Sequence, residues 1–298
     1  MSPTLTIFTP TYNRADLLTR GYQALKQQKC KDFEWLIVDD GSTDNTRDVV
    51  CGFQEQDNGF EIKYIYKENG GLHTGYNCAI AHADTELCMC VDSDDWIAEN
   101  AVERILMLWG QVKRDDCAGI VAQDIDPDGN PTCVIDGSGY INLNAYDVTH
   151  RWAGDRKLVI RTELYKAVAP MPSFPGEKNF NPQYMHYKIA QDYTFYVLNE
   201  PICIVDYQDT GMSAGIYKQF LNSPNSFAEF RRMQMTMRPN NWKFIIKSAI
   251  HYDSSCILAG KYSEIATKSP RKVLTMLVMP IGYALSRYIQ HKAELKHE

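Results

Sequence analysis

Within its first 112 residues the chain alternates four times between a short apolar run and a longer stretch with helical spacing. Residues 5–9, 33–38, 62–66 and 87–91 read as strands, and residues 15–28, 43–56, 74–83 and 98–112 as helices. Parallel neighbours need a crossover about as long as a helix. The alternation therefore predicts an α/β fold, a mostly parallel sheet flanked by helices on both faces. In such sheets ligands sit beyond the carboxyl ends of the strands, near a switch in strand order. All four strands here run into polar residues, so the candidate site residues lie there.

The middle of the chain is less regular. Residues 119–124, 132–135 and 158–161 read as strands, with Asp126-Pro127-Asp128-Gly129-Asn130-Pro131 as a turn. Residues 169–182 hold four prolines and read as a long loop, the kind that often serves as a lid or binding segment. Residues 184–198 read as a helix and 202–207 as a last strand. Everything from about 215 reads as helix, with starts at Ser223-Pro224 and near Asn240. This pattern divides the chain into an α/β domain, 1–210, with halves 1–115 and 116–210, and a helical C-terminal extension, 211–298.

The composition, 44% apolar and 23% charged over 298 residues, excludes disordered and fibrous classes. Charge is distributed unevenly. Residues 1–230 carry 19 Lys and Arg against 33 Asp and Glu, and residues 231–298 carry 12 against 4. An acidic body does not suit nucleic acid. A basic tail suits an anionic surface such as lipid, or it is a solvated helical extension. The nine cysteines include no CxxC pair and no zinc spacing, which fits buried thiols in a reducing cytosol. No basic region followed by an apolar core opens the chain, so no signal peptide is expected. The longest candidate for a membrane span, residues 273–286, is uncharged but interrupted by Pro280 and Gly282. At 14 residues it is too short to cross a bilayer but could lie on one.

Four polar clusters follow the four strands: Thr9-Pro10-Thr11-Tyr12-Asn13-Arg14, Asp39-Asp40-Gly41-Ser42-Thr43-Asp44, residues 69–77 around Gly70-Gly71-Leu72-His73, and Asp92-Ser93-Asp94-Asp95. Three carboxylates within four residues repel one another and call for a cation. Oxygen ligands select Mg²⁺ or Mn²⁺, which typically takes one or two carboxylates and completes its shell with substrate phosphates. The same cluster also reads as a solvated acidic turn or helix cap. Two Asp at the second strand end can close a turn or accept hydrogen bonds from a base or ribose. The glycines of the third cluster permit close backbone approach, and the helix they open favours an anion.

Taken together, the four clusters resemble family 2 glycosyltransferases of the GT-A fold, inverting enzymes that use nucleotide sugars. The likeness covers residues 4 to about 210. It is closest in kind to bacterial enzymes of O-antigen, capsule or exopolysaccharide synthesis. The resemblance implies that Thr9, Pro10, Thr11, Tyr12 and Arg14 line the nucleotide pocket and that Asp39 binds the base, uracil among the candidates. It places Gly71 and His73 near ribose and phosphates, Asp92 and Ser93 at the ribose or sugar, and Asp94 on a Mn²⁺ or Mg²⁺ ion that holds the diphosphate. Single displacement at the anomeric carbon also needs a carboxylate base for the acceptor hydroxyl. Many relatives carry Glu-Asp in the comparable loop. Here that place holds Pro175-Gly176-Glu177-Lys178, which makes Glu177 the first candidate for the base and Asp192 the second.

The resemblance further implies a UDP-linked or similar donor and a polyprenyl-diphosphate-linked glycan acceptor. It implies a cytoplasmic location at the inner membrane face, with residues 270–290 as a peripheral contact. That segment has a second reading, packing on its own chain or on a second subunit. Residues 211–213 would cover the donor. Two rivals are a non-catalytic sugar-binding module on the same fold and an aspartate-nucleophile phosphatase, whose Asp-x-Asp-x-Thr signature fails here at Trp96.

Overall fold

The computed structural model describes residues 2–149, 154–207 and 215–294. The order of elements is β1 (Leu5–Thr11), α1 (Ala15–Lys26), β2 (Phe33–Asp39), α2 (Thr46–Gln54), β3 (Glu61–Tyr66), α3 (Leu72–His82), β4 (Leu87–Cys90), β5 (Trp96–Ile97), α4 (Ala101–Val112), β6 (Cys117–Ile125), β7 (Tyr140–Ile141), α5 (Leu143–Asp147), β8 (Arg156–Arg161), α6 (Thr162–Val168), α7 (Gln183–Ile189) and β9 (Thr194–Ile204). The helices α8 (Ile216–Asn222), α9 (Pro224–Gln234), α10 (Trp242–Leu258), α11 (Tyr262–Thr267) and α12 (Lys272–Glu294) follow.

The described residues form two compact units. The first is drawn from Met1–Leu143, Trp152–Pro170 and Lys188–Gln208, the second from Asn144–Arg151, Met171–Tyr187 and Asp209–Glu298. The first unit holds a single sheet in the order β3-β2-β1-β4-β8-β6-β9-β5, with β7 on β9. From β3 to β4 all pairings are parallel, as expected. Beyond β4 the sheet is mixed: β8 runs antiparallel to both β4 and β6, and β6 runs parallel to β9. The order turns at β1, since β2 and β3 build to one side and β4 to the other. The switch point lies between β1 and β4. Leu5, Ile7, Trp35, Ile37, Leu87, Met89, Ile120 and Val159 are fully buried in the core. Burial of each side chain of this size contributes about 1.5–3 kcal/mol. The ring of Tyr22 on α1 stacks on Phe53 of α2 with centroids 4.1 Å apart.

Two expectations need correction. Residues 132–135 form no strand. Asp126 instead draws in the amides of Asp128 and Asn130, and Pro131 makes an isolated bridge to Ile125. The helix expected over 184–198 ends with α7 at Ile189. Thr194, Phe195, Tyr196 and Val197 belong to β9, because β-branched and aromatic side chains pack well between β6 and β7. None of the nine cysteines is paired, and Cys88 and Cys90 are buried on β4.

The second unit is helical. Asn241, one residue beyond the expected start, caps α10 by accepting from the Phe244 amide at 3.1 Å. Ile245, Ala249, Tyr252 and Cys256 of α10 pack with Ile265 of α11 and Val278 of α12.

Candidate active site

β1 delivers Thr9, Pro10 and Thr11 to the carboxyl edge of the sheet. Thr9 and Thr11 are both buried. Thr9 Oγ1 accepts from the Trp35 indole at 2.9 Å, so its hydroxyl ties β1 to β2. Thr11 Oγ1 is buried with no hydrogen-bond partner among the described residues. A buried polar atom without a partner is costly, and a bound ligand would relieve that cost. Tyr12 is half-exposed. Pro10 packs beneath α3, where a Cβ on Gly75 would approach its own to 3.1 Å.

At the end of β2 the two aspartates divide the work. Asp39 Oδ1 accepts from the Ser42 amide at 2.7 Å and Oδ2 from the Tyr64 hydroxyl at 2.6 Å. Burial first, and this bond second, raise the Tyr64 phenol well above its usual range. Each Asp39 oxygen keeps a second lone pair for a ligand. Asp40 accepts from the Gly70 and Gly71 amides at 3.0 and 2.7 Å and forms an ion pair with Lys67. The opening of α3, expected to receive a ligand's anion, therefore holds a carboxylate of the protein itself. Gly71 needs its φ of 92° to make this turn. His73, the second residue of α3, is buried.

The acidic turn after β4 lies across the switch point from β1. Arg14, just past β1, pairs with Asp94 at 2.9 Å and reaches Ser93 Oγ at 3.3 Å. Arg20 of α1 donates to the Asp94 carbonyl at 2.6 Å and to Asp206 at 2.7 Å, with its guanidinium 3.9 Å from the Trp96 ring centroid. Beneath lies Lys157 of β8, its ammonium 3.5 Å from Asp95 and 3.9 Å from Asp124. Burial alone would lower this ammonium, but Asp124, Asp95 and Asp92 hold it well above its usual value. Burial also pushes Asp92 and Asp95 up, with Lys157 pulling them back, and it raises Asp124 to about 6. Neither Asp124 oxygen takes a hydrogen bond among the described residues.

Asp94 keeps 17% of its side chain exposed. Among the described residues no three His, Cys, Asp or Glu side chains converge as a ligand set. A hard cation suits the carboxylate chemistry of Asp94, and it would complete its shell from diphosphate and water rather than from a protein cage.

The two candidates for the base belong to different units. Glu177 is buried in the helical unit. Its Oε1 accepts from the Asn225 amide and side chain at 2.8 and 2.7 Å, and its Oε2 from the Ser226 amide and hydroxyl at 2.7 and 2.6 Å. It thus caps the first turn of α9. Asp192 is exposed on the turn before β9, not within a helix. The register sets Thr194 level with Cys117, near the start of β4. The rise of five residues then separates Thr194 from the level of Asp92 by about 16 Å along the strands, and Asp192 lies in the turn before Thr194. Residues 211–213 lie outside the described residues.

Sequence reasoning missed Lys157, Asp124 and Arg20. The traces available were a lysine and an aspartate in or at the edge of apolar strand runs, which is unusual for side chains this buried.

An α/β sheet with an acidic turn and an arginine across its switch point is the class of architecture that the geometry defines. The model of the family described as "Glycosyl transferase family 2" matches residues 6–152. The glycosyltransferase GlyG of Streptococcus pneumoniae is 27% identical over 223 residues, 69% of each chain. Chondroitin synthase of Pasteurella multocida is 31% identical over 128 residues, but the match spans only 13% of its length. A GalNAc(5)-diNAcBac-PP-undecaprenol beta-1,3-glucosyltransferase of Campylobacter jejuni is 31% identical over 106 residues, 35% of this chain and 34% of its own. In fold the chain is similar to S. aureus TarS 1–349 in complex with UDP-GlcNAc, with TM-score 0.61, 16% identity and 97% and 92% of the two chains covered. The mannosyltransferase PcManGT of Pyrobaculum calidifontis, in complex with GDP-Man and Mn²⁺, is alike at TM-score 0.56 and 16% identity, covering 100% and 85%. Residues 6–152 carry a glycosyltransferase family 2 domain, and the fold is that of the GT-A glycosyltransferases.

Proposed function

We propose that the chain transfers a sugar, hexosyl or N-acetylhexosaminyl, from a UDP-linked donor to a hydroxyl of a lipid-linked bacterial surface glycan, with inversion. The observation that carries this reading is the Arg14–Asp94 pair across the β1–β4 switch point, together with the unpartnered Thr11 hydroxyl at the end of β1. Support for UDP comes from the fold neighbour bound to UDP-GlcNAc. Support for a polyprenyl-linked acceptor comes from the Campylobacter relative's name. Such an acceptor would place the enzyme at the inner face of the cytoplasmic membrane.

In this reading Thr11, Tyr12 and Asp39 seat the nucleoside. Asp92 and Ser93 lie at the ribose or sugar. Arg14 meets the charge that develops on the departing diphosphate, which is stabilisation by a group already in place. Asp94 would hold a Mn²⁺ or Mg²⁺ ion, whose part when bound is to neutralise that diphosphate. Lys157 keeps the acidic turn from flying apart before the donor arrives. Glu177 would have to give up bonds to Asn225 or Ser226 before it could take a proton. We therefore assign it to capping α9 rather than to proton transfer.

The test is turnover of UDP-sugars with Mn²⁺ by the full chain and by Asp94→Asn. The variant should fold, because Asp94 sits at a solvent-facing strand end, and should lose at least about 100-fold in rate. Equal turnover by a folded variant would remove Asp94 from the diphosphate.

A further inference from the structure

α12 is apolar on two opposite faces. Thr275, Val278, Gly282, Ser286, Ile289 and Ala293 form the buried face. This face packs on α10 so closely that a Cβ on Gly282 would come within 2.5 Å of the Asp253 Cβ. At 100° per residue the opposite face carries Val273, Met276, Leu277, Ile281 and Tyr288, which are 74, 60, 73, 56 and 47% exposed. A helix that faces water on its outer side carries polar residues there. A contiguous exposed stripe of large apolar side chains marks an interaction surface.

The charges around the stripe indicate what it meets. No Asp or Glu stands between Glu264 and Glu294, whereas Lys268, Arg271, Lys272, Arg287 and Lys292 do. At one end of α12 the Arg271 guanidinium lies 5.8 Å from the ring centroid of Trp242, itself 64% exposed. Apolar side chains, bordering cations and an exposed indole are the composition of a helix lying in a membrane interface. No helix among the described residues is long and apolar enough to cross a membrane. A second copy is a poorer occupant, because a two-fold contact would bring the same cations together without carboxylates to meet them.

We propose that the outer face of α12 rests on an anionic lipid surface, with the helix axis in the membrane plane. The inference deepens the functional reading by naming the surface that would bring the enzyme to a lipid-linked acceptor, and it rests on that reading only for its purpose. Both faces of the sequence-level alternative are then used, one packed on the chain and one on lipid.

The experiment is vesicle flotation of the full chain and of the double variant Leu277→Asp/Ile281→Asp. The vesicles contain phosphatidylglycerol with phosphatidylcholine, or phosphatidylcholine alone. Both residues are exposed, so an unchanged melting temperature checks the fold. The wild type should float with phosphatidylglycerol vesicles, less so in high salt, and the variant should partition at least about tenfold more weakly. Equal flotation of the two proteins would overturn the proposal, as would a wild type that floats with neither vesicle. A wild-type dimer made monomeric by the variant, with no vesicle binding, would assign the face to a second copy and overturn it too. Flotation reads the helix face whether or not the protein turns over a nucleotide sugar, so failure of one reading is distinguishable from failure of the other.

Discussion

The Lys157 ammonium is buried beside Asp95 at 3.5 Å and Asp124 at 3.9 Å, and those carboxylates are buried too. Removing one partner of a buried ionic group leaves the other charge uncompensated. Lys157→Met should therefore lower unfolding free energy by about 3 kcal/mol, read from denaturant midpoints. A loss under about 0.5 kcal/mol would mean that the cluster does not depend on its cation. At Glu177 two roles separate cleanly. As a cap it predicts that Glu177→Gln loses about 1–2 kcal/mol of stability, since one acceptor oxygen becomes a donor facing Asn225 or Ser226. Its kcat should stay within about threefold, because general-base loss typically costs at least about 100-fold. A stable Glu177→Gln protein without turnover would return the base to this residue. The acidic turn was legible because Asp92, Asp94 and Asp95 are chain neighbours. Lys157 and Asp124 were not, since strands β8 and β6 bring them together from distant parts of the chain. The Glu177 cap likewise depends on a helix that begins at Pro224.

On α10, Asp253 is fully buried against α12, and neither of its oxygens has a hydrogen-bond partner among the described residues. Burial raises its carboxyl to about 7. The folded form thus holds a proton that the unfolded chain has already released, so the contribution of this group to stability is fully present below about pH 4 and is lost as pH rises through about 7. Asp253→Asn should flatten that decline and raise the melting temperature at pH 8 by a few degrees, as measured by calorimetry across pH. An unchanged pH profile would mean the site is hydrated. Among elements, the parallel half of the sheet was legible because apolar runs and helical spacing alternate cleanly from residue 5 to 112. The stretch at 184–198 was not: Tyr184, Met185 and Ile189 keep helical spacing, and only pairing with β6 shows that Thr194 onward is strand. Residues 132–135 look like a strand by composition, but Asp126 binds the turn before them.

For the whole molecule, the division between an acidic body and a basic tail was visible from composition, and the basic tail, residues 231–298, falls entirely in the helical unit. Residues assigned to the donor, from Thr9 to Asp94, belong to the sheet unit, while Glu177 and α12 belong to the helical one. The central claim is that the edge of the sheet at β1 and β4 binds a nucleotide sugar through Asp94 and Arg14. A ligand that binds only the native state raises its melting temperature by mass action. The direct measurement is a thermal-shift series of UDP-sugars and GDP-mannose, with and without Mn²⁺, on wild type and Asp94→Asn. A shift with one nucleotide sugar that requires Mn²⁺ and vanishes in Asp94→Asn is the expected result. A folded wild type that shifts with none of them, or an equal shift in Asp94→Asn, would contradict it.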